Sequence, residues 1–472
     1  RRRPQVQDVL RPSELANRVD ELEDRTLLAA PHPFDLSTLN GTNGFRLDGI
    51  DAGDYSGFSV SSAGDVNGDG FDDLIIGARY ADPGGDTYAG ESYVVFGKAS
   101  GFTAAIDLDA LNGTNGFRLD GIDAGDYSGY SVASAGDVNG DGFDDLIIGA
   151  SSADPGGDSY AGESYVVFGK SSGFTAAVDL DTLNGTNGFR LDGIDASDAS
   201  GWSVSSAGDV NGDGFDDLII GAHRADPGGD YAAGENYVVF GKSSGFTAAI
   251  DLDALNGTNG FRLDGIDVSD NSGLSVSSAG DVNGDGLDDL IIGAHRGDPG
   301  GDYDDAGESY VVFGKSSGFT AALDLDTLNG TNGFRLDGVD AGDYSGNSVA
   351  SAGDVNGDGF DDLIIGAYRA ASFAGDNYVV FGKSSGFTAA VDLSALNGTT
   401  GFRLDGIDSN DRSGLSVSSA GDVNADGFDD LIIGAKFADP GGNSAAGESY
   451  VVFGKSSGFT AALDLDTLNG TD

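Results

Sequence analysis

The sequence predicts an all-β fold, a β-propeller of six four-stranded blades. Three observations lead there. The phrase Gly-Phe-Arg-Leu-Asp-Gly starts at Gly44, Gly116, Gly188, Gly260, Gly333 and Gly401, so one unit of 68 to 73 residues recurs along the chain. Each unit holds four short runs of β-type residues separated by turn residues. Each also holds one acidic loop, Asp-x-Asn-x-Asp-Gly-x-x-Asp, between two of those runs. Four short strands repeated at tens of residues is the pattern of a propeller blade, whereas a solenoid of stacked strands repeats at shorter intervals.

Residues 1–33 precede the repeats and differ from them in kind. Residues 1–30 are electrically neutral, so the remainder carries the whole formal charge of −54. The propeller is assigned to residues 34–472, with repeats at 44–115, 116–187, 188–259, 260–332, 333–400 and 401–472. At 39% apolar residues the chain can bury a core despite its acidity. A charge so negative argues against nucleic acid and anionic membrane surfaces as partners and in favour of cations. The absence of cysteine rules out disulfides and thiolate metal sites. No apolar run reaches the 18 or so residues of a membrane span, and no apolar stretch follows Arg1–Arg3 as in an ordinary signal peptide. The chain does not begin with Met, as expected of a processed product or a fragment.

Within the first repeat, Phe58-Ser59-Val60-Ser61-Ser62-Ala63 alternates and runs into the acidic loop. Leu74-Ile75-Ile76 emerges from it as an apolar, β-branched second strand. Ser92-Tyr93-Val94-Val95-Phe96 is a third strand between glycines. Phe117-Arg118-Leu119 is a fourth, introduced by the Asn-Gly turn of Leu111-Asn112-Gly113-Thr114. The fifth repeat is short because Tyr368-Arg369-Ala370-Ala371-Ser372-Phe373 replaces the Asp-Pro-Gly-Gly loop found in the others. The last repeat supplies three strands and stops at Asn469-Gly470-Thr471-Asp472, while a spare fourth strand, Gly44-Phe45-Arg46-Leu47-Asp48-Gly49, stands before the first. An N-terminal strand that completes the ring would remove exposed sheet edges, so a closed, monomeric six-bladed propeller is expected. Seven blades, with one lost from a truncated chain, is the alternative.

The acidic loops carry the chemistry. Calcium takes six to eight oxygen ligands, and carboxylates and amides at positions 1, 3 and 5 of a tight loop can converge on one ion. In the first loop these are Asp65, Asn67 and Asp69; Gly70 permits the turn, the carbonyl of Phe71 supplies position 7, and Asp73 closes the shell. The second loop offers Asp137, Asn139, Asp141, Phe143 and Asp145, and the third Asp209, Asn211, Asp213, Phe215 and Asp217. In the fourth they are Asp281, Asn283, Asp285, Leu287 and Asp289. The fifth offers Asp354, Asn356, Asp358, Phe360 and Asp362, and the sixth Asp422, Asn424, Asp426, Phe428 and Asp430. About six structural Ca2+ ions are therefore expected. A helical EF-hand loop would need an acidic residue at position 12, where Ile76 stands between strand-like runs.

The repeat resembles the FG-GAP repeat of integrin α-subunit propellers and of many bacterial surface proteins. Gly57-Phe58 is similar to its Phe-Gly half in altered order, and Gly77-Ala78 to its Gly-Ala-Pro half, with Arg79 where Pro would stand. The resemblance covers residues 44–472. It implies a propeller holding calcium in hairpin loops on one face, with the Asp and Asn positions above as ligands, and a role in adhesion or ligand binding. Leu22-Glu23-Asp24-Arg25-Thr26-Leu27-Leu28 resembles the Leu-Glu-Pro-Arg-x-Leu-Leu core of a sorting segment on large bacterial surface proteins, with Asp24 in place of Pro. Ser13 to Leu28 also reads as an amphipathic helix with Leu15, Val19 and Leu22 on one face.

Other features have plainer readings. Arg296-Gly297-Asp298 differs by one residue from Arg224-Ala225-Asp226 at the same place, so it is read as coincidence rather than an adhesion tripeptide. The Asn-Gly-Thr sequences at Asn40, Asn112, Asn184, Asn256 and Asn329 are read as turns rather than glycosylation sites. None of His32, His223 and His295 has a nucleophile or zinc-ligand spacing beside it, so no catalytic residue is assigned. Asp72 and its equivalents are read as solvated partners of the loop. Phe58, Tyr130, Trp202, Leu274, Asn347 and Leu415 occupy one position that varies while its surroundings repeat; core packing is the expectation and a binding surface the alternative. The expected protein is a non-enzymatic, exported bacterial cell-surface or extracellular scaffold with a protein or glycan ligand. The competing functions are a non-catalytic module of a larger secreted enzyme and a lectin.

Overall fold

The computed structural model describes residues 34–300 and 305–468; the sorting-segment reading of residues 1–33 lies outside them. The fold is an all-β propeller of six blades. A short strand, β1 (Arg46–Asp48), precedes the first blade, which is built from β2 (Ser59–Gly64), β3 (Asp73–Ala78), β4 (Glu91–Val95) and β6 (Gly116–Asp120), with β5 (Ala105–Asp107) between the last two in sequence. In space the order is β2-β3-β4-β6, antiparallel throughout, and Val60, Ile76, Tyr93 and Arg118 form one row across the sheet. These are the four strands the sequence predicts.

Their composition follows from where they lie. In the second blade the strand Asp145–Ala150, Asp-Leu-Ile-Ile-Gly-Ala, is buried at every residue. A continuous apolar, β-branched run is what a strand needs when both faces are covered. The covers are the neighbouring blades. Ile75 and Val94 of the first blade pack with Val132, Leu146 and Ile148 of the second in one buried cluster, and this pattern passes from blade to blade. Innermost strands of successive blades touch around the axis.

A fifth strand in each of the first five blades escaped the sequence reading. The three residues Ala177–Asp179 of the second repeat reach back and pair in parallel with β6 of the first blade. Asp179 then caps the one-turn helix Leu180–Thr182 by accepting the N–H of Asp181. Three residues carry too little periodicity to announce a strand. The same device holds β1, which pairs in parallel with β5, while Phe45 stacks on Phe102 at 4.5 Å as Phe117 stacks on Phe174. The N-terminal strand therefore takes the outer place at the join between last and first blades. It docks through the first blade. Its ladder runs to β5, and the hydrogen-bonded sheet of the sixth blade consists of Ser413–Gly421, Asp430–Ala435 and Glu448–Val452.

Packing at this join is looser than at the five interior interfaces. Val60 is 65% exposed, whereas its equivalents Val132, Val204, Val276, Val349 and Val417 are 4–6% exposed. Ile432 is 38% exposed, whereas Ile75, Ile147, Ile219, Ile291 and Ile364 are fully buried. In the fifth repeat a single irregular helical turn, Ala370–Phe373, replaces the Asp-Pro-Gly-Gly loop. Among the described residues no helix is long and apolar enough to cross a membrane.

Candidate metal centres

The six acidic loops join the innermost strand of each blade to the next strand out, so all six open at the same end of the ring. A bulge at Ser134–Gly136 turns the innermost strand of the second blade into its loop. Asp137 then organises the curl by accepting the N–H of Asp141 at 3.0 Å and of Gly142 at 2.9 Å. Asp141 accepts the N–H of Phe143 at 3.1 Å. Gly140 has a φ of +72°, and a Cβ there would lie 2.3 Å from the Phe215 ring of the following blade. Only glycine satisfies both demands.

Asp145 sits at the base of the loop, fully buried. Its oxygens accept the N–H of Gly169 at 2.8 Å and of Val138 at 3.2 Å, and the side-chain amide of Asn139 lies 3.2–3.3 Å from both of them. Burial, reinforced by the charges of Asp141 and Asp137 against its two backbone donors, pushes its pKa up to about 8. Asp217, Asp289 and Asp362 are likewise pushed to about 8 and Asp73 to about 7. A carboxylate buried beside two others is the electrostatic environment that a cation relieves.

The predicted residues are thus gathered, but not as a finished cage. Positions 1, 3, 5 and 9 share each hairpin loop, with position 3 touching position 9 in the first five. Positions 1 and 5 turn oxygens toward backbone N–H groups. Among the described residues no three His, Cys, Asp or Glu side chains are grouped closely enough to hold a metal. The donor set suits a hard cation once the asparagine amide makes a half-turn to present its Oδ1. In the sixth loop Asn424 Oδ1 is already buried without a hydrogen-bond partner. The residues fit calcium in kind and number.

Asp72 is exposed, but its five equivalents are not solvated partners of their own loops. Asp144 Oδ2 accepts the N–H of Asp65, in the preceding blade, at 2.6 Å. Asp216, Asp288, Asp361 and Asp429 repeat this tie at 2.7–2.9 Å. Each loop is thereby fastened to the next. The doubled Asp-Asp closing every loop was the available signal, but its target lies 79 residues away in the first tie. Reading within one repeat could not show it.

Other candidates resolve against this frame. Asn112 Oδ1 accepts the N–H of Thr114 at 3.0 Å within the turn, in agreement with the turn reading of the sequons. Asp298 accepts the N–H of Asp305 as Asp226 accepts that of Ala232, so the Arg-Gly-Asp carboxylate serves its own loop. None of the six variable residues is fully buried, which departs from the core-packing expectation: Phe58 is exposed and the other five are half-buried, at or near the start of an innermost strand. The structure also shows a network absent from the sequence reading. Tyr165 donates to buried Glu163, which faces Arg190 at 3.5 Å, while Arg190 also holds Asp192.

Known proteins repeat this pattern. The FG-GAP repeat family matches at residues 56–95, 128–167, 200–239, 272–312, 345–381 and 413–452, one match in each blade. Phosphatidylinositol-glycan-specific phospholipase D of Bos taurus is 31% identical over 232 residues, covering 47% of this chain and 26% of that protein. Integrin alpha-PS2 of Drosophila melanogaster is 30% identical over 249 residues, covering 52% of this chain and 15% of that protein. Integrin alpha-V of Gallus gallus is 29% identical over 244 residues, covering 51% of this chain and 20% of that protein. The matched segments are a minor part of each relative. Six blades, each with its family match and its acidic hairpin loop, make this chain a member of the FG-GAP repeat family.

Proposed function

We propose that the chain is a calcium-stabilised extracellular or cell-surface scaffold that binds a ligand and performs no catalysis. The observation that carries the metal is the buried position-9 carboxylate, which lies beside an asparagine amide in the first five blades and whose proton affinity is raised first by burial and then by the neighbouring loop carboxylates. Asp137, Asn139, Asp141, Asp145 and the carbonyl of Phe143, with their equivalents, would hold about six ions. Bound calcium supplies charge neutralisation to a chain of net charge −54. The family match to integrin alpha chains supports the surface and ligand-binding part of the reading. Exported bacterial origin rests on the sorting-segment resemblance.

Calcium titration into EDTA-treated protein, followed by calorimetry and thermal melting, tests the metal. The expected result is a stoichiometry near six, dissociation constants on the order of 10⁻⁴–10⁻³ M and a rise in melting temperature. No binding heat and an unchanged melting curve would overturn it. A second reading, a non-catalytic module of a larger secreted enzyme, is favoured by the match to phosphatidylinositol-glycan-specific phospholipase D. Sequencing the gene on both sides separates the two, since a catalytic domain encoded beside the repeats would support the second.

A further inference from the structure

The chain uses its cations in three ways outside residues 1–33. Six arginines of the Gly-Phe-Arg-Leu-Asp phrase pair with the aspartate two residues on. Six lysines lie over phenylalanine rings at 4.7–5.1 Å near the metal-loop end. The remaining six, Arg79, Arg224, Arg296, Arg369, Arg412 and Lys436, have no ion-pair partner among the described residues. All six stand on the opposite end of the ring, in loops that follow the second strand of a blade or precede its innermost strand.

That end also carries the variable aromatics. Phe58, Tyr130 and Trp202 run across the first three blades with ring centroids 5.2 and 4.4 Å apart. Arg79 lies between the first two, 3.6 Å from the Phe58 centroid and 4.9 Å from that of Tyr130, and its buried Nε has no partner. His223 continues the row 4.4 Å from Trp202; it is only 5% exposed, and its Nδ1 has no hydrogen-bond partner. A third observation is conformational. Tyr55 and Tyr127, beside this row, are held at φ of +55° and +58°, and the equivalent Ala199, Asn271, Tyr344 and Arg412 of the other four blades are held at +57° to +58°.

We propose that this arc over the first three blades binds a carbohydrate bearing carboxylates, a uronic-acid glycan. Aromatic faces stack on the apolar faces of sugar rings, and arginine pairs a carboxylate in a fork. An extended peptide fits less well, because the innermost strands have already committed their free groups: Val132 N–H donates to Ser59 Oγ, and Val204 N–H to Ser131 Oγ, at 3.1 and 3.2 Å. No ladder is left open for an added strand. Carboxylates stand at this end as well, Asp126 and Asp198 among them, and these two are almost fully buried. This inference rests on the ligand-binding part of the proposed function and is independent of the calcium.

Trp202 is the only tryptophan, so its fluorescence reports this site alone. The test titrates the intact, calcium-saturated chain with hexagalacturonate, its methyl ester and an octaglutamate peptide. Hexagalacturonate should shift the emission, the methyl ester should bind about tenfold more weakly, and Arg79→Gln should weaken binding by a similar factor at unchanged melting temperature. Arg224→Gln is a second variant should the first lower stability. Equal binding of acid and ester overturns the anionic specificity. A shift with octaglutamate alone overturns the glycan. No shift with any probe overturns the site, and the separate calcium titration still decides the scaffold reading.

Discussion

A few buried carboxyl groups set the response of this protein to pH. Asp126, Asp198 and Asp270 sit in the loops at the end of the ring away from the metal loops, almost fully buried. Burial first, then the neighbouring Glu163, Glu235 and Glu308, pushes them up to about 7, 7 and 8. A carboxyl whose folded pKa is raised binds its proton more tightly when folded. Its stabilising contribution is complete below about pH 4 and is lost as pH rises through 7 to 8. Melting temperature in EDTA should therefore fall between pH 5 and pH 9, and Asp270→Asn should flatten the curve; a melting temperature that rises over this range would contradict the assignment. The donor residues of each loop were legible in the sequence, because calcium chemistry fixes oxygen spacing. The proton affinity of Asp270 was not, because it depends on Glu308, brought close by the fold.

The hairpin and its tie form the next level. Strands, turns and loop positions followed from alternation, β-branching and Asn-Gly pairs, all local properties. The links between repeats did not, since no residue in one repeat names its partner in another. Asp216 accepts the backbone N–H of Asp137 across the second and third blades, whereas Asp72 is exposed and makes no such tie to the sixth blade among the described residues. Asp216→Ala should cost about 1.5–3 kcal/mol, the worth of a hydrogen bond to a charged group, measured by denaturant unfolding. Asp72→Ala should cost far less. Equal losses would mean that the tie contributes nothing. The sixth loop carries Ala425 at φ +61°, where the other loops have glycine. Gly140 must clear the following blade's Phe215, whereas in the sixth blade no such ring follows among the described residues. The backbone strain remains there, but the steric veto is gone.

At the scale of the whole ring, five interior interfaces are nearly identical and the sixth is not. Ile147→Ala, fully buried between blades, should cost about 2–5 kcal/mol, and Ile432→Ala, one-third exposed, less than half as much by the same measurement. Comparable losses would show the join to be as well packed as the rest. The repeat count and the role of the N-terminal strand as an outer strand could be read by counting phrases, but the quality of the join could not. Closure depends on small angles between blades, summed around the circle, and no residue pattern encodes that sum. A circle with one weak contact behaves as a line with two ends. In such an array each blade is steadied by two neighbours except at the termini, and stability is roughly a sum of nearest-neighbour terms. Loss of order then begins at the first and sixth blades and travels inward, so the third and fourth blades are the last to fray.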